Sequence, residues 1–330
     1  MSETILKYFS AFVTAAAFAV SPGALAQSGG AADYPSRPVR VLNPSSLGGG
    51  GDVVARMIMP ELSKILGQNF YIENRPGAAN IIATELAAKA PPDGYTIYLA
   101  AFGTFVTNPL VYAKLPYSLQ SFETVSIVAD APFILSVHPA LPVTNLKQLI
   151  ALAKAKPGQL TFASFGTGST PHLTGEWFQA RTGTKLLHVP YKGSAPGMAD
   201  LMAGNITMTI DGGLASVPQI RARRIRPIGV TAPKRLAVLA EVPTFEELGL
   251  DKFYVGSWYG IMAPAKTPRD IVLKLHGGLL KTIGNPAVRD LLNNLGASVV
   301  GNSPEEFAAQ VVREQEHWAD VVKKAGIKFE

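Results

Sequence analysis

The feature that most narrows the fold is an alternation of segment types that occurs twice. PVRVLNP, NFYIEN and YTIYLA are short, apolar and bounded by Gly, Pro or Asn. Between them lie DVVARMIMPELSKILG and AANIIATELAAKA, whose apolar residues recur at helical spacing. Strand, helix, strand, helix, strand is the pattern of a parallel sheet with helices on both faces. A second series repeats the architecture without the sequence: helix LKQLIALAKAKPG, strand QLTFASF, helix TPHLTGEWFQARTG, strand KLLHVPY, helix SAPGMADLMAG and strand ITMTIDG. SIVADAPFILSVHP joins the two series and FYVGSWYGIMAPAKTP follows the second, both apolar and extended in character. Two helices then close the chain, each opened by Ser or Thr followed by Pro. Two α/β lobes joined by two extended crossings make a hinged molecule with a ligand cleft between the lobes. The expected division is residues 34–137 plus 258–330 for lobe 1 and residues 138–257 for lobe 2.

The start of the chain stands apart from this pattern. Its apolar run from Tyr8 to Val20 is 13 residues long, against roughly 20 needed to span a bilayer. Small residues follow at Ala24 and Ala26. Together these predict a secretory signal peptide, residues 1–26, cut after Ala26, then a small polar linker over 27–33 and a periplasmic location. Export permits disulfides, yet the chain has no cysteine, so its stability rests on burial. A formal charge of +6 and a pI near 9.4 suit anionic ligands. Nucleic acid is set aside as a partner. Its best support, the run RARRIR (Arg221 to Arg226), has no aromatic interleaving and leads into the apolar IGV, as a solvated helix end does.

LNPSSLGGGGDVVAR, residues 42–56, puts four glycines between a strand and a helix. A dinucleotide fingerprint fails there: from Gly48 and Gly50 the third glycine would fall on Val53, and from Gly49 and Gly51 on Val54. Neither glycine cluster is followed by the Lys-Ser or Lys-Thr of a phosphate loop. GTGST, residues 166–170, sets Ser169 one position too late for a nucleophile elbow, so a hydrolase using Ser169 and His172 is only the runner-up. The other histidines are scattered and cysteine is absent, so no metal and no cofactor are expected. What survives is a pair of Gly/Ser-rich loops at strand-to-helix junctions. Peptide N–H groups there, with the hydroxyls of Ser45, Ser46, Ser164, Ser169 and Thr170, can hold an anion without burying a countercharge. His172, on the following helix, either orients an acceptor oxygen or bonds nearby backbone.

From Tyr34 onward the chain resembles the Bug-type (TctC-like) periplasmic solute-binding receptors of tripartite tricarboxylate transporters. The motifs that carry the resemblance are YPSRPVRV with the following glycines and Asp52, IENRPGAAN (72–80), PDGYT (92–96), NPLVYAKLPY (108–117), LIALAKAKPGQLTFAS (149–164), GTGSTPHLTGE (166–176), HVPYKGSAPGMADLMAG (188–204), VPT (242–244) and SPEEFAA (303–309). The resemblance implies a two-lobed flytrap, type II-like, with mixed, mostly parallel sheets. It implies a monomer, not an enzyme, that closes on a small carboxylate and delivers it to membrane permease subunits, or alternatively to a sensor kinase. It makes Pro44–Asp52, with Ser45, Ser46, Gly48 and Gly49, and Ser164–His172, with Phe165, Gly168, Ser169, Thr170 and His172, the two ligand loops, which act largely through backbone groups and ordered waters. Asp211 takes the place of the family's pocket-facing aspartate. Tyr191 and Lys192 match its VPYKG, in a role either structural or in contact. Where the family usually reads Pro-Phe-Ala-Pro-Gly-Gly, Ser45 here replaces the Phe and Leu47 the second Pro. Phe102 and Phe165 stand where small or polar residues are commoner, with Thr104 near the first. That exchange suggests aromatic walls for a planar or aromatic carboxylate.

Overall fold

The computed structural model describes residues 33–325, so the expected signal peptide, its cleavage site and nearly all of the linker lie outside the described residues. The first series forms β1 (Val39–Asn43), α1 (Gly50–Leu66), β2 (Phe70–Asn74), α2 (Ile81–Ala88) and β3 (Thr96–Ala101). Two helical turns, α3 (Phe102–Phe105) and α4 (Asn108–Val111), lead to the long strand β4 (Phe122–Val137). The second series is α5 (Leu146–Ala155), β5 (Thr161–Ser164), α6 (Thr170–Thr182), β6 (Leu187–Pro190), α7 (Ser194–Ala203), β7 (Met208–Gly212), α8 (Gly213–Arg221) and β8 (Arg226–Val230). β9 (Gly256–Pro264) returns, followed by α9 (Arg269–Gly284), α10 (Pro286–Asn294), β10 (Ser298–Val299) and α11 (Pro304–Ala325).

The strands run in the order β2-β1-β3-β9-β4-β7-β5-β6, with β8 and β10 also paired to β4. Within each series the pairs are parallel, as right-handed crossovers require. Around the two crossings they are antiparallel, which makes the sheet mixed. β4 serves both halves of the molecule: Phe122–Pro132 pairs with β9, and Phe133–Val137 pairs with β7. The exchange of partners thus falls inside a strand that the sequence pattern assigns whole to lobe 1.

One apolar layer packs α1 and α9 on the first half through Val54, Ile58, Leu62, Leu275 and Leu279. A second runs under both halves, where Trp318 of α11 meets Trp177 of α6 at 5.9 Å between ring centroids. α1 shows the local logic. Val54, Ile58 and Leu62 recur every fourth residue on its buried face, and Gly67, at φ 75°, ends it with its N–H on Ser63 O. Among the described residues, no helix is long and apolar enough to cross a membrane.

Candidate functional site

Helices that begin at the ends of β1, β5 and β6 converge on one cavity. Gly49, Ser169 and Gly193 are the N-caps of α1, α6 and α7, and none has a side chain bonded to its helix's first turn. The N-cap residues' own side chains therefore leave the opening N–H groups without their usual acceptor, and in α7 Ala195 N donates instead to Ser46 Oγ at 3.4 Å, across the cavity's edge. The cavity between them has a volume of about 50 Å³. Ser45, Ser46, Ser169, Thr170, Ser194, Ser257 and Tyr259 bring hydroxyls to it, and none of its lining residues is charged. Three helix dipoles, each worth roughly 0.3–1 kcal/mol to an anion, meet hydroxyl donors there.

The first loop owes its shape to Asp52. Its carboxylate accepts from Gly48 N at 3.0 Å, Arg56 Nε at 2.9 Å and Asn74 Nδ2 at 2.9 Å. Burial works to raise this carboxyl, but the bonds from Arg56, Gly48 and Asn74 outweigh it and hold the group below its ordinary range. The glycine run is explained by contact as much as by backbone freedom. A Cβ on Gly50 would lie 2.3 Å from Tyr259 Oη, and one on Gly51 would lie 2.2 Å from Ser45 Oγ.

The second loop is held from beneath. Gly168 N donates to His172 Nδ1 at 3.0 Å, His188 Nε2 meets Ser164 Oγ at 2.6 Å, and the two imidazoles stack with centroids 3.8 Å apart. Burial pushes both down to about 4, His172 also through His188, so both are neutral at pH 7. Ser169 Oγ donates to Gly166 O at 2.6 Å, closing the turn.

A third loop completes the ring. Ser194 Oγ donates to Asp211 Oδ2 at 2.5 Å, and burial pushes that carboxyl up to about 6 against the bonds from Ser194 and Gly212. Gly193 approaches Ser46 so closely that a Cβ there would sit 2.8 Å from Ser46 Oγ, which brings the first half of the molecule against the second at the cavity's edge.

Of the residues singled out in the sequence, Ser45, Ser46, Gly49, Phe165, Ser169 and Thr170 line the cavity. Gly48 turns the first loop at φ 76° without lining it. Ser164, Gly168 and His172 support the second loop from below, and Asp211 lies behind Ser194. Thr104 is fully buried, with Asn80 Nδ2 donating to its hydroxyl at 3.3 Å. Tyr191 donates to Asp200 at 2.6 Å and lies outside the lining. Phe102 provides no wall. Consecutive strand residues face opposite sides, so with Tyr259 at the cavity, Trp258 lies on the other face. Phe102 packs edge-on against that Trp258 and Trp318, at 6.1 and 6.0 Å. The aromatic rings at the cavity are instead those of Phe133, Phe165 and Tyr259.

Gly193 and Ser194 carry the same strand-to-helix signal as the other two loops, within HVPYKGSAPG. Asn80, Asn108, Phe133 and Tyr259 reach the site only through tertiary packing; Asn80 and Asn108 stand in the motifs IENRPGAAN and NPLVYAKLPY, which do not by themselves mark a site.

Fold and site together define a class: a two-lobed α/β binding protein of the periplasmic-binding-protein type, with a donor-lined, uncharged cleft. The chain matches the model of the tripartite tricarboxylate transporter family receptor, TctC, over residues 54–327, and it belongs to that family. It is 34% identical to BugT of Bordetella pertussis over 298 residues, covering 90% of this chain and 91% of BugT. A structure of R. palustris Rpa4515 with adipate is 38% identical with a TM-score of 0.88, covering 90% of this chain and 100% of that one. MatC of Rhodopseudomonas palustris, with bound malate, is 31% identical with a TM-score of 0.84, covering 88% of this chain and 100% of that one.

Proposed function

We propose that this chain is an exported, monomeric receptor that holds a small carboxylate in the cavity and delivers it to the permease subunits of a tripartite tricarboxylate transporter. The observation that carries the reading is the convergence of three helix N-termini and seven hydroxyl side chains on a cavity without a charged lining residue. Such a site holds an anion on fixed dipoles and N–H donors without burying a cation. Adipate and malate, named with two of the similar structures, are both carboxylates. Ser45, Ser46, Gly49, Ser169, Thr170 and Ser194 are the proposed contacts, with Gly48, Ser164, Gly168, His172 and Asp211 positioning them.

Closure of the two halves follows only if the ligand binds the closed state better than the open one. Contacts to Ser46 from one half and Ser194 from the other provide that difference. A hydrolytic role is disfavoured by geometry: Ser169 Oγ donates to Gly166 O, while His172 Nδ1 is occupied by Gly168 N. The test is a thermal-shift screen of the mature protein against aliphatic and aromatic carboxylates. A ligand at about 100 times its Kd adds roughly 2.7 kcal/mol. Stabilisation by at least one carboxylate, with compaction in solution scattering, supports the reading, and no stabilisation by any of them refutes it.

A further inference from the structure

The groups that ring the cavity are mostly donors, or hydroxyls able to donate. Asn108 differs. It opens α4, is fully buried and lines the cavity. Its Nδ2 donates to Ala79 O at 2.8 Å and to Tyr117 Oη at 2.9 Å, while its Oδ1 has no hydrogen-bond partner among the described residues. The amide cannot be reversed. Ala79 O is a carbonyl and only accepts, so the atom facing it must be Nδ2. Tyr117 Oη already donates to Thr104 O at 3.1 Å and therefore takes the second Nδ2 proton as an acceptor.

The backbone beside this amide is strained. Ala78, Ala79 and Asn80 hold φ of 46°, 48° and 76°, three consecutive left-handed residues with side chains. Such conformations persist only where the surroundings enforce them, and they gather at ligand clamps. Asn108 grips the carbonyl of the middle residue, and Gly77, Ala79 and Asn80 line the cavity beside it. The strained turn and the amide together fix an acceptor that the protein leaves unmatched.

We infer that Asn108 is a specificity-determining residue: its Oδ1 accepts a hydrogen bond from the ligand, so the preferred ligand is a carboxylate that also carries a donor, a hydroxyl or an N–H. The inference rests on the carboxylate reading above. A site built around a polar atom rejects the analogue that lacks its partner, because that atom is then left buried and unpaired.

The test is isothermal titration of the mature protein with matched carboxylates that differ in one substituent: malate, succinate and methoxysuccinate, and the hydroxybenzoates beside benzoate and the methoxybenzoates. The expected result is at least one hydroxyl compound binding about 30-fold or more tighter than both its hydrogen and its methoxy counterparts. In Asn108→Ala, shown to be folded by circular dichroism, that ratio falls toward one. If hydrogen and methoxy compounds bind as well as the hydroxyl ones, or if the ratio survives in folded Asn108→Ala, the inference is overturned and the carboxylate reading stands. If no carboxylate binds, both fail. Should Asn108→Ala not fold, the wild-type ratios decide alone.

Discussion

Gly50 and Tyr259 show how narrowly single residues set the cavity. With a Cβ on Gly50 placed 2.3 Å from Tyr259 Oη, Gly50→Ala must displace the phenol or the start of α1. Overpacking of this kind costs about 1–3 kcal/mol. The expected outcome in a urea titration is a loss of that size, recovered in part by adding Tyr259→Phe. Full stability in Gly50→Ala would show that the contact is not tight. The buried titratable groups give a second prediction. His172 and His188 are pushed down to about 4 from 6.5, so the unfolded chain takes up protons that the folded one refuses. Their contribution is complete above 6.5 and is lost as pH falls toward 4. Asp211, raised to about 6 from 3.8, acts in the opposite sense, favouring the folded state at low pH and losing that contribution as pH rises through 6. Asp130, Glu176 and Glu314, whose carboxyls burial also raises, act with Asp211. The histidine contribution is therefore read by difference: from about pH 7 to about pH 4.5 the urea midpoint is expected to fall further, or rise less, in the wild type than in His188→Gln. An equal change in the two proteins would count against the stacked neutral pair.

At the scale of elements, the helix N-termini matter more than any side chain. An anionic residue among them competes with an anionic ligand for the same dipoles. Ser46→Asp is expected to weaken carboxylate binding by about 100-fold while leaving the fold intact, read by titration and circular dichroism. Unchanged affinity would place the ligand elsewhere. Most elements are legible in the chain: the short apolar strands and period-3.6 helices of both series fall where the alternation puts them. The partners of the two crossings are not, since an extended apolar segment reads the same whether it pairs parallel or antiparallel. β4 moreover belongs to both halves, which a pattern of local propensity has no means of expressing. The loops of the site were visible through their glycines and serines. Asn108 and Tyr259 were not, because they arrive from distant segments. Phe102 reads as a wall because an aromatic stands there where the family commonly has a small or polar residue, but α3 turns its ring into the Trp258–Trp318 cluster.

For the whole molecule, the two halves share more than the crossing strands. α11 packs on β4 and also on α6, with Trp318 only 3% exposed between Phe102 and Trp177. Trp318→Ala is expected to cost about 3–5 kcal/mol in a denaturant titration, and a cost under about 1 kcal/mol would show that α11 does not tie the halves together. α11 thus touches both halves of the molecule, and the loops at Ser46 and Gly193 meet at the cavity's edge. The central claim is that the cavity holds a carboxylate on neutral donors. The most direct measurement is calorimetric titration of the mature protein with each carboxylate found in the thermal screen and with its uncharged primary amide. The expected result is measurable binding of the carboxylate and a loss of at least about 100-fold for the amide. Equal affinity for the two, or binding of neither, would contradict it.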